Sequence, residues 1–86
     1  MESNLLTRKQ WGFVQKLYSL TPRELEVAQL VCEGLDNKKV AKELSIATGT
    51  VKTHLASIYH KVSYRKSRIK NKISLLLKFV EDVKGR

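Results

Sequence analysis

Gly49, Lys52, Thr53, Ala56, Ser57 and His60 recur at spacings of three and four residues. On a helix that spacing gathers them on one face. The face is small in the middle and polar at its edges, with Lys52 and Tyr59 along one flank and Thr50, His54 and Lys61 along the other. Small residues let a helix backbone come close to a surface. Long basic and polar side chains beside them reach acceptors on base edges and phosphates. An ordinary solvated helix face favours Glu, Lys and Gln across its whole width, and that preference is missing. The chemistry this pattern suits is recognition: hydrogen bonds and apolar contacts to the edges of base pairs in the major groove of double-stranded DNA. On the opposite side Val51, Leu55, Ile58 and Val62 form one apolar stripe, which must be core.

Bond-making chemistry finds little support. The sequence has no carboxylate cluster, no nucleophile paired with a base and no glycine-rich phosphate loop. We therefore expect no enzyme, no catalytic residue and no cofactor. His54 and His60 stand six apart, about 600° around a helix, so they do not converge as metal ligands. Cys32 is the single cysteine, which excludes an internal disulfide and a cysteine-based zinc site. No metal is expected. Seventeen Lys and Arg against eight Asp and Glu give a net charge of +9, which attracts polyanions, nucleic acid before anionic membrane. No apolar run approaches the ~18 residues of a membrane span, and no secretory signal opens the chain. A cytoplasmic, nucleoid-associated protein is expected.

Eighty-six residues make one domain with a marginal core. Helix signals are dense and strand signals absent, so the fold class is all-α. Thr7 and Gln10 form a capping box, with Leu6 and Trp11 placed as a hydrophobic staple, and a helix is expected over about 8–19. Trp11 and Phe13 could stack on a base or partner, but aromatics at helical spacing read first as core. Thr21, Pro22 and Glu24 open a second helix, about 22–33, ended by Gly34 with Leu35 folding back on Leu30. A third, about 37–44, is capped by Asp36 or Asn37 and turns Val40, Ala41 and Leu44 inward, leaving Lys38, Lys39 and Lys42 outside. Ser45, Ile46 and Ala47 make the turn before the helix of about 48–62. Helix, turn and helix are arranged as in a helix-turn-helix.

From Lys61 to Lys72 six of twelve residues are basic, Arg65 among them, and this run is expected along the phosphate backbone. A last helix, about 67–83, carries Ile69, Ile73, Leu76, Leu77, Val80 and Val83 on one face. One stripe suffices to dock it, so the surplus Leu75 and Phe79 are assigned to a two-fold dimer interface.

Leu20-Thr-Pro-Arg-Glu-Leu-Glu-Val, Glu33-Gly-Leu-Asp-Asn-Lys-Lys-Val-Ala, Thr50-Val-Lys-Thr-His-Leu-Ala-Ser-Ile and Lys61-Val62, in that order, resemble the LuxR/GerE (NarL-type) DNA-binding domain. The resemblance covers about Leu20 to Val62. It implies a four-helix bundle whose third helix reads the major groove and whose fourth pairs with its mate, in a bacterial transcription regulator acting on a dyad-symmetric site. Residues 1–19 would be an added helical extension and 20–86 the DNA-binding domain, as in the small free-standing members. Lys52 matches a position reaching bases or phosphates, and Thr53 one touching base edges. Lys38, Thr21 and Arg23 match contacts to the phosphate backbone. His54 matches a histidine near the backbone, with helix packing as the equal alternative.

Three departures stand out. Ala47 replaces the family's capping serine, so Thr48 is expected to cap and shift the helix start. Ala56 replaces a base-reading lysine of some members, so the target sequence is not shared with them. After Val62 the family's turn fits only with an inserted residue. The rival reading is a protein-interaction module of the same fold, docking on RNA polymerase or another regulator, as region 4 of sigma factors does. That reading requires apolar anchors on the outer face of the 48–62 helix, and Gly49, Thr53, Ala56 and Ser57 offer none.

Overall fold

Short-range capping decides where the helices of this chain begin and end. The computed structural model describes residues 6–65 and 71–84, the side chains of residues 64 and 65 excepted, and no strand occurs among them. Its helices are α1 (Arg8–Tyr18), α2 (Pro22–Cys32), α3 (Asn37–Leu44), α4 (Thr48–Arg65) and α5 (Lys72–Lys84). Thr7 and Thr21 each open a helix with a reciprocal box. The Gln10 amide donates to Thr7 Oγ1 and the Thr7 amide to Gln10 Oε1, at 3.1 and 2.9 Å. The Thr21–Glu24 box has the same two distances. Leu6 and Trp11 are both buried, closing the staple over the start of α1. At the end of α2, Gly34 adopts φ +96°, and the Leu35 amide donates back to the Leu30 carbonyl at 3.3 Å. A left-handed residue there costs glycine little.

The core is one cluster fed by every helix. Val51, Leu55, Ile58 and Val62 of α4 are buried as expected, against α2 and α3. Val40 and Ala41 of α3 are buried and Leu44 half-buried. Cys32 lies in the same core, where burial, aided by the charge of Glu33, pushes its thiol up to about 12.

Helix α5 departs from the sequence expectation in two ways. It starts at Lys72 rather than near residue 67, because Asn71 caps it: the Ser74 amide donates to Asn71 Oδ1 at 2.9 Å. Ser67 and Ile69 lie outside the described residues, as do Lys66, Arg68 and Lys70. The larger correction concerns Leu75 and Phe79, which are fully buried within the chain and are not a dimer surface. Phe79 meets Trp11 edge-on, with ring centroids 5.7 Å apart and planes at 75°, and Tyr18 at 6.0 Å. The physical reason is α1. Its aromatic side supplies the wall that a partner helix was expected to supply. The Tyr18 hydroxyl donates to Asp82, which pairs with Lys78 at 3.5 Å, so a polar clasp closes the same α1–α5 contact. Turning Leu75 and Phe79 inward leaves Ile73 and Leu77 outward, 71% and 63% exposed. Trp11 is core as expected, whereas Phe13 is half-buried and borders a shallow groove with Lys9, Gln10 and Val83.

Candidate nucleic-acid interface

Helix α4 is held from behind and bare in front. Four apolar side chains fix its inner stripe, while Gly49, Thr50, Lys52, Thr53, Ala56 and His60 are exposed. Five of the six residues expected to read bases therefore share an accessible face. The Thr53 hydroxyl donates to the Gly49 carbonyl at 3.1 Å. That bond occupies its proton and leaves its oxygen lone pairs and methyl for a partner, the methyl being suited to a thymine methyl.

The start of α4 differs from the shifted start expected. The Ala47 carbonyl accepts from the amides of Thr50 and Val51, at 3.0 and 3.2 Å. Ala47 is thus the capping position, and Thr48 is the first helical residue rather than the cap. An alanine cap accepts nothing through its side chain, a deficit of about 1 kcal/mol against serine. The turn before it is tied down at the other end, where Ser45 takes a left-handed conformation and the Ile46 amide reaches the Ala41 carbonyl at 2.9 Å.

Ser57 is placed differently from its neighbours. It is half-buried, and its hydroxyl donates to Glu24 Oε2 on α2 at 2.6 Å. Lys61, expected on a phosphate, donates from Nζ to Glu24 Oε1 at 2.6 Å and to the Ser19 carbonyl at 3.1 Å. Among the described residues, Glu24 is the buried charged residue of the core. Burial alone would raise its pKa. Hydrogen bonds from Lys61, the Ser57 hydroxyl and the Thr21 amide outweigh that, together with the Lys61 charge, and hold the carboxyl below its ordinary value. Sequence reasoning saw Glu24 only as half of a capping box. The missed signal is its phase: Glu24, Ala28 and Val31 fall on one buried stripe of α2, so the carboxylate had to meet a donor inside.

Among the expected phosphate contacts, Thr21, Arg23, Lys38 and Thr50 are exposed and His54 is half-buried. Arg23 pairs with Glu26 at 3.2 Å across one exposed turn, a contact weak enough to exchange for a phosphate. Lys39 and Lys42 are exposed beside Lys38 on α3, which packs on α4. The side chain of Arg65 lies outside the described residues. Among the described residues, no helix is long and apolar enough to cross a membrane.

Comparison with known proteins places the helices around α4 in a family. The family described as bacterial regulatory proteins, luxR family, matches residues 18–75, which takes in α2, α3, α4 and the start of α5. The chain belongs to the luxR family. It is 52% identical over 52 residues to a putative HTH-type transcriptional regulator of Mycobacterium tuberculosis, covering 60% of this chain and 5% of that protein. It is 38% identical over 72 residues to the transcriptional regulatory protein DesR of Bacillus subtilis, covering 79% and 34%. To the HTH-type transcriptional regulator MalT of Yersinia pestis it is 35% identical over 74 residues, covering 84% and 8%. The chain thus spans between a twentieth and a third of the length of these relatives. No solved structure matches it significantly. The family match begins at Tyr18, the last residue of α1, and ends at Leu75, within α5.

Proposed function

We propose that this luxR-family chain is a sequence-specific DNA-binding regulator of transcription that lays α4 in the major groove. One observation carries the reading: the exposed face of Gly49, Thr50, Lys52, Thr53, Ala56 and His60 on a helix whose opposite side is fully buried. A helix anchored this way presents base-reading groups at fixed depth, and its small residues permit close approach. Lys52 and Thr53 are the central readers. Thr21, Arg23, Lys38 and His54 hold the phosphates on either side, which fixes register without specifying sequence. In this reading the protein acts in the cytoplasm at the nucleoid.

A homodimer on a dyad-symmetric site completes the proposal, with its interface moved from Leu75 and Phe79 to Ile73 and Leu77. These lie four residues apart on α5, one helical turn, and are the large apolar side chains that the described fold leaves most exposed. Selection of bound duplexes from a random pool tests both halves at once. The expected result is an enriched inverted repeat whose spacing gives the separation of the two α4 helices. Enrichment of no sequence overturns DNA reading in favour of a protein-docking role, for instance on RNA polymerase. Enrichment of a single unrepeated site overturns the dimer alone.

A further inference from the structure

We infer that Glu24 is the residue that sets the rotation of α4 in its seat, and that Ser57 and Lys61 serve sequence discrimination through Glu24 rather than by touching DNA. The inference rests on the DNA-binding reading and deepens it. Glu24 has 7% of its side chain exposed, and the donors around it divide unevenly. One is the Thr21 amide of its own helix start, at 2.9 Å, and the other two come from α4. Ser57 and Lys61 are one turn apart, so the carboxylate grips α4 at two successive turns, one oxygen to each. Lys61 then reaches on to the Ser19 carbonyl at the end of α1. A single side-chain cluster therefore links α1, α2 and α4.

The placement of that grip is what gives it a role in reading. Thr53, Ser57 and Lys61 form one row at i, i+4 and i+8 along α4. The row begins on the exposed reading face and ends in the carboxylate. The apolar stripe of Val51, Leu55, Ile58 and Val62 holds α4 down by burial, which is non-directional and tolerates a small rotation. Hydrogen bonds to a carboxylate are directional and do not. Rolling α4 in its seat breaks the Ser57 and Lys61 bonds before it exposes the stripe, and it displaces Lys52, Thr53 and Ala56 against the bases. The Lys61 ammonium is meanwhile neutralised at 2.6 Å by a buried carboxylate, so it has little charge left to exchange for a counterion.

Positioning and direct phosphate contact make opposite predictions in a salt titration. Affinity of the full chain for its selected duplex and for a random duplex is measured against salt for wild type, Lys61→Met, Lys61→Arg, Ser57→Ala and Glu24→Gln. The expected result for Lys61→Met is an unchanged salt slope with a specific-to-random ratio about tenfold lower. Lys61→Arg, which keeps the ion pair, restores the ratio. Ser57→Ala strands no charge and so keeps the test open should Lys61→Met fail to fold; it lowers the ratio severalfold at the same slope. Glu24→Gln lowers the ratio while affinity for random duplex holds or rises, since Lys61 is then released. A slope reduced by about 0.9 in Lys61→Met, the mark of one lost phosphate contact, overturns the inference. So does an unchanged ratio in Ser57→Ala. A wild type that prefers no duplex over another overturns the DNA reading itself, and the inference with it.

Discussion

A buried carboxylate is an expensive choice, and Glu24 carries it by accepting donors on both oxygens. Its carboxyl titrates below the ordinary value of 4.5, so the folded state binds fewer protons than the unfolded state as pH falls past that value. Stability linked to Glu24 is therefore complete above about pH 4.5 and is lost as pH drops through the lower folded value. Thermal melts from pH 7 to pH 3 should show this loss in wild type and less of it in Glu24→Gln. An identical pH dependence in the two proteins contradicts the assignment. The cap at Thr21 was legible in the sequence because both box partners lie within one turn. The second duty of Glu24 was not, because Ser57 and Lys61 stand 33 and 37 residues away and meet it only once α2 and α4 have packed.

The same contrast holds between elements. Helices α1 to α3 begin within a residue of where Thr7, Thr21 and Asp36 imply, and the αL endings at Ser19 and Ser45 and the glycine at Gly34 stop them, whereas α4, with no capping side chain at Ala47, starts one residue before the Thr48-capped start expected. Those signals are local. The inner face of α5 was misassigned because two of its faces are apolar, and only the neighbour decides which is buried. Here the neighbour is α1, through Trp11 and Tyr18 on Phe79. Asn71 was missed as a cap because it sits inside a basic run that invited a charge reading instead. Trp11→Ala should cost about 3–5 kcal/mol in denaturant unfolding by opening this contact. Trp11→Phe should cost far less, because the buried indole N–H has no hydrogen-bond partner to lose. Equal losses for the two substitutions contradict the idea that ring packing, rather than the indole nitrogen, holds α1 on α5.

At the scale of the whole molecule, α1 packs on α5 through Phe79, and Leu75 and Phe79 are both taken into the core. Among the described residues, the large apolar side chains left exposed on α5 are a different pair from the one the sequence suggested, Ile73 and Leu77 rather than Leu75 and Phe79. Ile73→Glu with Leu77→Glu should yield monomers by sedimentation with the helical content unchanged, since both side chains are exposed. Leu75→Glu should instead unfold the chain, since that side chain is fully buried. Intact dimers in the double variant contradict the relocated interface. The central claim, that α4 reads bases through its bare face, turns on Lys52, which is exposed, outside the Glu24 cluster and unneeded by the core. The direct test is the affinity of Lys52→Ala for the selected duplex and for a random one, measured at a single salt concentration. The account predicts that preference for the selected duplex collapses by tenfold or more, in a chain that melts as wild type does. A preserved preference would contradict it.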